Sequence, residues 1–230
     1  MISSRILWMF LFSTILIFNA SRAFPDAKNR LALNELVYEI RNPQTDSRNF
    51  RMCLERIGEY LSLEILEELN TKEIKIQTLT KEIATHIVSD ETPILITILR
   101  AGLPLCLGAQ KIFPRSEVGF LGMSRDENNL KAKMDYIAIP ELKNKTIIII
   151  DTMIATGGSI LDAIKLIEKQ EPKQIIVLGA IASKPGIRRI LEHNPEINIY
   201  IAATDPFLND KGYIIPGLGD AGDRAYGKKQ

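Results

Sequence analysis

Four short runs of aliphatic, mostly β-branched residues constrain this chain more than any other feature. They are Ile94-Leu-Ile-Thr-Ile-Leu99, Ile147-Ile-Ile-Ile150, Ile175-Ile-Val-Leu178 and Ile197-Asn-Ile-Tyr-Ile-Ala202. Stretches with helical spacing, such as Ile160 to Lys169, separate them. Near-continuous apolar strands are buried on both faces, and strands of that kind alternating with helices imply a mostly parallel sheet in an α/β fold. Ligands in such folds collect outside the carboxyl ends of the strands. The loops after Leu99, Ile150 and Ala202 are therefore the expected seats of chemistry.

Upstream, Phe50, Leu54, Ile57, Leu61, Ile65 and Leu69 recur at three- and four-residue steps, which predicts an amphipathic helix over residues 49–69. Glu73 to Leu79 alternates apolar and polar residues and reads as a half-exposed strand, an edge or hood element. Residues 1–23 differ from all that follows. Arg5 precedes an uncharged run from Ile6 to Phe18, and Ser21 and Ala23 fit the small-x-small pattern of a cleaved signal. A transmembrane helix needs roughly 20 apolar residues, so this run predicts a leader or N-terminal extension, with membrane association only if it is retained. No linker divides residues 26–230, which are read as one domain.

The 29 basic residues nearly balance the 28 acidic ones, for a net charge of +1. No global field then favours a nucleic-acid partner. Cys53 and Cys106 sit among apolar neighbours without C-x-x-C spacing and read as buried thiols. His86 and His193 are far apart and lack ligand-like neighbours, so neither is given a catalytic role.

The segment richest in chemistry is Ile147-Ile-Ile-Ile-Asp-Thr-Met-Ile-Ala-Thr-Gly-Gly-Ser159. A buried strand delivers Asp151 to its carboxyl end, and a small loop leads into a helix starting near Ser159. Thr156, Gly157, Gly158 and Ser159 can turn backbone N–H groups and two hydroxyls toward one anion, aided by the helix dipole. No Lys follows the glycines and G-x-G-x-x-G spacing is absent, so this phosphate cradle is neither a Walker A loop nor a dinucleotide fingerprint. Asp151 beside the cradle could accept hydroxyl hydrogen bonds from a ribose whose 5′-phosphate occupies it.

Two further features complete the set. Arg100 and Arg125 follow apolar stretches, and guanidinium forks bind diphosphate oxygens bidentately. Near the carboxyl terminus, Gly212, Gly217, Gly219 and Gly222 with Pro216 preclude a regular helix or central strand. Such a loop exposes backbone donors and acceptors that can read the edge of a base.

Asp151-Thr-Met-Ile-Ala-Thr-Gly-Gly-Ser159 resembles the phosphoribosyl-diphosphate (PRPP) loop of type I phosphoribosyltransferases, in the D-P-M-L-A-T-G-G-S form of the uracil phosphoribosyltransferase branch. Ile98-Leu-Arg-Ala-Gly-Leu103 matches that branch's I-L-R-A-G-L. Gly212-Tyr-Ile-Ile-Pro-Gly-Leu-Gly-Asp-Ala-Gly-Asp-Arg224 is similar to its terminal block. Gly122-Met-Ser-Arg-Asp-Glu127 fits a G-x-x-R-[DN]-E turn, and Arg41-Asn42, Thr45 and Phe50-Arg51 resemble an R-N-x-x-T-x-x-x-x-F-R entry. The resemblance runs from about residue 30 to the end. It departs at Thr152, where the family has Pro and where a looser turn is expected, and at Leu103-Pro104-Leu105, Ala138 and Tyr226-Gly-Lys.

The resemblance implies a type I phosphoribosyltransferase fold with a small hood or flexible β-arm, and conversion of uracil and PRPP to UMP and diphosphate. Mg2+ would arrive on PRPP, with no direct protein ligand. Arg100 and Arg125 would neutralise the diphosphate, and Asp151 would hold the ribose hydroxyls. PRPP binding would involve Thr152, Met153, Ile154, Ala155, Thr156, Gly157, Gly158, Ser159 and Asp220. Uracil would be read by Ile214, Gly219, Asp220 and Ala221. GTP as an activator and a homo-oligomer are further implications. A PRPP- or nucleotide-sensing homologue without turnover and a transferase for another base are the alternatives. PRPP is an intracellular metabolite, so the expected location is the cytoplasm or plastid stroma.

Overall fold

The computed structural model describes residues 30–125 and 132–229. The chain begins with helices α1 (Leu31–Arg41) and α2 (Ser47–Leu66) and a hairpin of β1 (Thr71–Gln77) and β2 (Ile83–Ser89). Then come β3 (Ile94–Leu99), α3 (Leu103–Ile112), β4 (Val118–Arg125), β5 (Ala132–Ala138), β6 (Thr146–Ile154) and α4 (Gly158–Glu168). It continues through β7 (Gln174–Ser183), α5 (Lys184–His193), β8 (Asn198–Asp205), the short pair β9 (Phe207–Leu208) and β10 (Ile214–Ile215), and α6 (Ala221–Tyr226). The leader expected over residues 1–23 lies outside the described residues. Among those described, no helix is long and apolar enough to cross a membrane.

The main sheet has the order β5-β4-β3-β6-β7-β8. All neighbours are parallel except β4 and β5. The four aliphatic runs lie in β3, β6, β7 and β8, and the layers explain why they are unbroken. In β6, Ile148 and Ile150 join the core formed with α1, α2 and α3, whereas Ile147 and Ile149 join the core formed with α4 and α5. Both faces of the strand are dry, as in other sheets with helices on both sides.

Helix α2 buries Phe50, Leu54, Ile57, Leu61 and Ile65, and the Asp46 side chain caps it by accepting from the Asn49 N–H. Leu69 is buried too, although the helix ends three residues earlier. Burial pushes the Cys106 thiol up to about 12 and raises that of the half-buried Cys53. Neither thiol is bridged.

Three expectations are corrected. The strand over residues 73–79 is not half-exposed: all seven residues of β1 are exposed, because it pairs only with β2 and no layer covers it. Strand β6 does not stop at Ile150 but continues to Ile154, held by Met153↔Ile181 and Ile154↔Ala182 pairing. Strand β8 likewise runs past Ala202 to Asp205.

Helices α2 and α3 cross where neither has a side chain to separate their backbones. A Cβ on Gly58 would stand 2.1 Å from the Leu105 carbonyl oxygen, and one on Gly108 would stand 1.9 Å from that of Glu55. Helix propensity alone favours Ala over Gly by roughly 1 kcal/mol. Overpacking costs about 1–3 kcal/mol or more, and here it falls on backbone that cannot rotate away. Gly58→Ala and Gly108→Ala are therefore expected to lower the thermal midpoint, as read by circular dichroism. A raised midpoint would contradict this account of the crossing.

Candidate active site

Strand β3 leads through α3 to β4 on one side, and its neighbour β6 leads through α4 to β7 on the other. Where successive connections leave in opposite directions, a crevice opens at the carboxyl ends of the two strands. The β3–α3 turn carries Arg100 to one lip, and the end of β6 carries Asp151 to Ser159 to the other. A Cβ on Gly102 would stand 2.7 Å from the Ile150 carbonyl oxygen, so only glycine allows this approach. The Thr152 hydroxyl donates to the Ala101 carbonyl at 2.7 Å.

Thr152 is fully buried inside β6, so the expected loosening of a turn after Asp151 does not occur. A residue able to donate from its side chain ties one lip to the other. Asp151 also lies within the strand, three residues before its end, and is 9% exposed. Burial pushes its carboxyl up to about 7, partly offset by hydrogen bonds from the backbone N–H groups of Met153 and Thr152. This inward position, which a strand ending at Ile150 would not give, is the physical cause of its raised pKa.

Met153 is half-buried and Ile154 fully buried as the strand ends. Ala155 to Ser159 then turn into α4. Gly157 has φ +76°, a left-handed conformation that glycine adopts without strain; it offers no capping side chain, and the Gly158 N–H makes only a long bond, 3.4 Å, to the Thr156 hydroxyl. The loop is fixed from behind: the Ser183 hydroxyl donates to the Ala155 carbonyl at 2.6 Å, and Arg189 Nη1 donates to that of Thr156 at 3.2 Å. Thr156, Gly158 and Ser159 remain partly exposed at the crevice. An uncapped N-terminus with a glycine turn is a site for an anionic group.

The terminal segment lies against the same crevice. A Cβ on Gly212 would touch Thr156 at 3.5 Å, and one on Gly222 would stand 3.7 Å from Arg100 Nη2. Ile214 is buried in β10, Ala221 is buried in α6, and the Asp220 side chain caps α6 by accepting from the Asp223 N–H at 2.8 Å. Gly219, at φ +85°, has nothing within 4 Å of where a Cβ would be. The structure thus gathers Arg100, Asp151, Thr152, residues 155–159, Ile214 and residues 219–221 in one region. The backbone of Arg125 ends β4 opposite Ala132, while its side chain, Asp126 and Glu127 lie outside the described residues.

Sequence reasoning missed the residues that hold the terminal loop. Arg41 forms a fork on the buried Asp205 carboxylate, with Nη1 and Nη2 at 2.9 and 2.6 Å. The pair also brackets Gly217: its N–H donates to Asp205 at 2.9 Å and its carbonyl accepts from Arg41 at 2.9 Å. Arg224, stacked 4.3 Å from the Phe50 ring, donates to the carbonyls of Ile40, Asn42 and Leu218. Arg41, Asn42 and Phe50 all belong to the upstream motif, and that motif was the signal available. Bidentate, charge-assisted bonds of this kind fix orientation as well as position.

The sequence model of the family described as uracil phosphoribosyltransferase matches residues 27–228. The chain belongs to the uracil phosphoribosyltransferase family. It is 41% identical over 199 residues to the uracil phosphoribosyltransferase of Thermococcus sibiricus, covering 85% of this chain and 86% of that one. To that of Clostridium botulinum it is 36% identical over 208 residues, covering 90% and 97%. The solved structure of the AQ2163 protein from Aquifex aeolicus aligns with a TM-score of 0.80 at 38% identity, over 85% of this chain and 94% of that one. The match covers the lips of the crevice and the terminal loop together.

The raised pKa of Asp151 has a consequence for stability. The folded state keeps its proton up to about 7, whereas a free carboxyl releases it near 3.8. Stability from this group is thus fully present below 3.8 and lost as pH rises to about 7. Each tenfold fall in proton concentration between those limits removes about 1.4 kcal/mol. Asp151→Asn removes that loss. The thermal midpoint of the unliganded variant, relative to wild type, is expected to climb between these two pH values and level off above 7. A difference independent of pH would show that Asp151 is not desolvated.

Proposed function

We propose that this chain transfers the phosphoribosyl group of PRPP to uracil, giving UMP and diphosphate. The observation that carries this reading is the meeting of Arg100, buried Asp151 and the uncapped start of α4 at one switch-point crevice, with the open turn at Gly219 beside them. The bond from the anomeric carbon to diphosphate breaks, a bond from that carbon to uracil N1 forms, and the N1 proton is released along with the diphosphate. Positioning and electrostatic stabilisation of the leaving group do most of the work in such a transfer.

In this proposal the amides of Thr156 to Ser159 hold the 5′-phosphate. Asp151 accepts from the ribose hydroxyls, whose hydrogen bonds favour its charged form and draw off the proton that burial retains. Arg100 and Arg125 neutralise the diphosphate. Mg2+ enters as Mg-PRPP with Asp220 on its side of the site, and the backbone of Ile214 and Gly219 to Ala221 reads the base. A sensor without turnover has less support, because Thr152, the departure that suggested it, is buried and hydrogen-bonded in place.

A homo-oligomer is also proposed. Ile74, Ile76, Ile83 and Ile87 are exposed on a two-stranded hairpin, and such hairpins are marginal in water unless something packs on them. Activation by GTP and action in the cytoplasm or plastid stroma complete the proposal, on the family resemblance and on PRPP being intracellular.

The test is uracil-dependent diphosphate release from PRPP with Mg2+. Binding of PRPP without turnover on any pyrimidine would replace the enzyme with the sensor. Charge-assisted hydrogen bonds are worth on the order of 1.5–3 kcal/mol. On that scale Asp151→Asn should lower kcat/KM by roughly tenfold to a hundredfold, with uracil binding little changed. Wild-type kinetics in that variant would mean that Asp151 does not hold the ribose.

A further inference from the structure

Arg100 leaves the end of β3 and lays its guanidinium on the first turn of α6. Nη2 donates to Asp223 Oδ1 at 3.0 Å and to the Gly227 carbonyl at 3.3 Å. Nε is buried beside Gly222 without a hydrogen-bond partner. The N–H of Asp223 itself donates to Asp220 Oδ1 at 2.8 Å. The acid that caps the turn beside the open space at Gly219 is therefore one residue-to-residue step from the acid that grips Arg100. An arginine has five N–H donors in a rigid fork. The two on Nη2 are engaged by α6 and the segment after it, and Nε is left buried and unsatisfied.

We propose that Asp223 is the positioning residue for Arg100: it holds the guanidinium against the first turn of α6 and leaves Nη1 to meet the diphosphate. The inference rests on the reading of Arg100 as a diphosphate ligand. A long, flexible side chain loses rotamer freedom when it grips a ligand, and a carboxylate that fixes it beforehand removes much of that loss. The sign of the effect separates this role from a plain surface charge. PRPP is a polyanion, so deleting a nearby carboxylate tightens binding by electrostatics alone. Binding that weakens in the wild-type background and not in Arg100→Gln shows that the carboxylate works through the arginine.

The experiment compares Mg-PRPP affinity by calorimetry, and uracil kinetics, for the full chain, Asp223→Asn, Arg100→Gln and the double variant. Asp223→Asn preserves shape at a pair with side chains 37% and 32% exposed, so folding is expected to survive, with a melting curve as the control. Asp223→Ala, which cannot find a new partner, is expected to shift affinity in the same direction. The expected result is a PRPP dissociation constant and KM raised roughly tenfold, as for loss of one coupled pair. kcat should change less, the uracil KM at saturating PRPP should stay within about twofold, and Asp223→Asn should add nothing in the Arg100→Gln background. Unchanged or tighter PRPP binding, or an equal loss in both backgrounds, would overturn the role. A wild-type protein that binds PRPP without uracil turnover would contradict the proposed reaction, while the binding comparison would still decide the part played by Asp223.

Discussion

Everything in the crevice depends on how closely two neighbouring loops of the sheet are held. Gly102 brings the β3–α3 turn against the Ile150 carbonyl, where a single methyl group could not fit. The Thr152 hydroxyl then ties the end of β6 to the Ala101 carbonyl. With the turn fixed, Arg100 and Asp151 stand on opposite lips of one site without touching in an ion pair. Parallel strands whose connections diverge provide the crevice; these two contacts set its width.

That separation has an electrostatic consequence. A buried carboxylate with a cation beside it would keep its charge cheaply, whereas among the described residues Asp151 has backbone N–H groups for company, and burial dominates. Hydroxyl donors beside a carboxylate in such a position favour its charged form. Functional sites commonly hold groups whose pKa values are perturbed in this way. The opposite wall is built on the contrary plan. Arg41 with Asp205, and Arg224 with three carbonyls, tie the terminal loop to the start of the domain. One side of the crevice is a backbone edge held by arginine clamps, and the other carries a buried carboxylate that accepts from two backbone N–H groups.

Much of this was legible in the sequence, and what was not has definite causes. The aliphatic runs announced the central strands because burial on both faces removes the polar alternation. Their ends were misjudged because Asp151, Thr152 and Asp205 are polar yet remain in the sheet: backbone N–H groups, the Ala101 carbonyl and Arg41 satisfy them. No local pattern reveals partners that lie tens of residues away. The exposure of β1 was misjudged for a related reason. Alternation says that a strand has two faces but not whether anything will cover either. The turn over residues 155–159 and the helix start after it were readable because their signals are local, a pair of glycines, the first at φ +76°, just after a buried strand. The hold of Arg41 on Asp205 and Gly217 was not, since it joins residues more than 160 positions apart.

The most direct test of the account is a crystal structure of the full chain with UMP bound. The account predicts the 5′-phosphate on the amides of Thr156 to Ser159, the ribose hydroxyls within hydrogen-bond reach of Asp151, and the base edge on the backbone of Ile214 and Gly219 to Ala221. A nucleotide seated elsewhere, or one whose ribose turns away from Asp151 while its phosphate lies on Arg100, would contradict it.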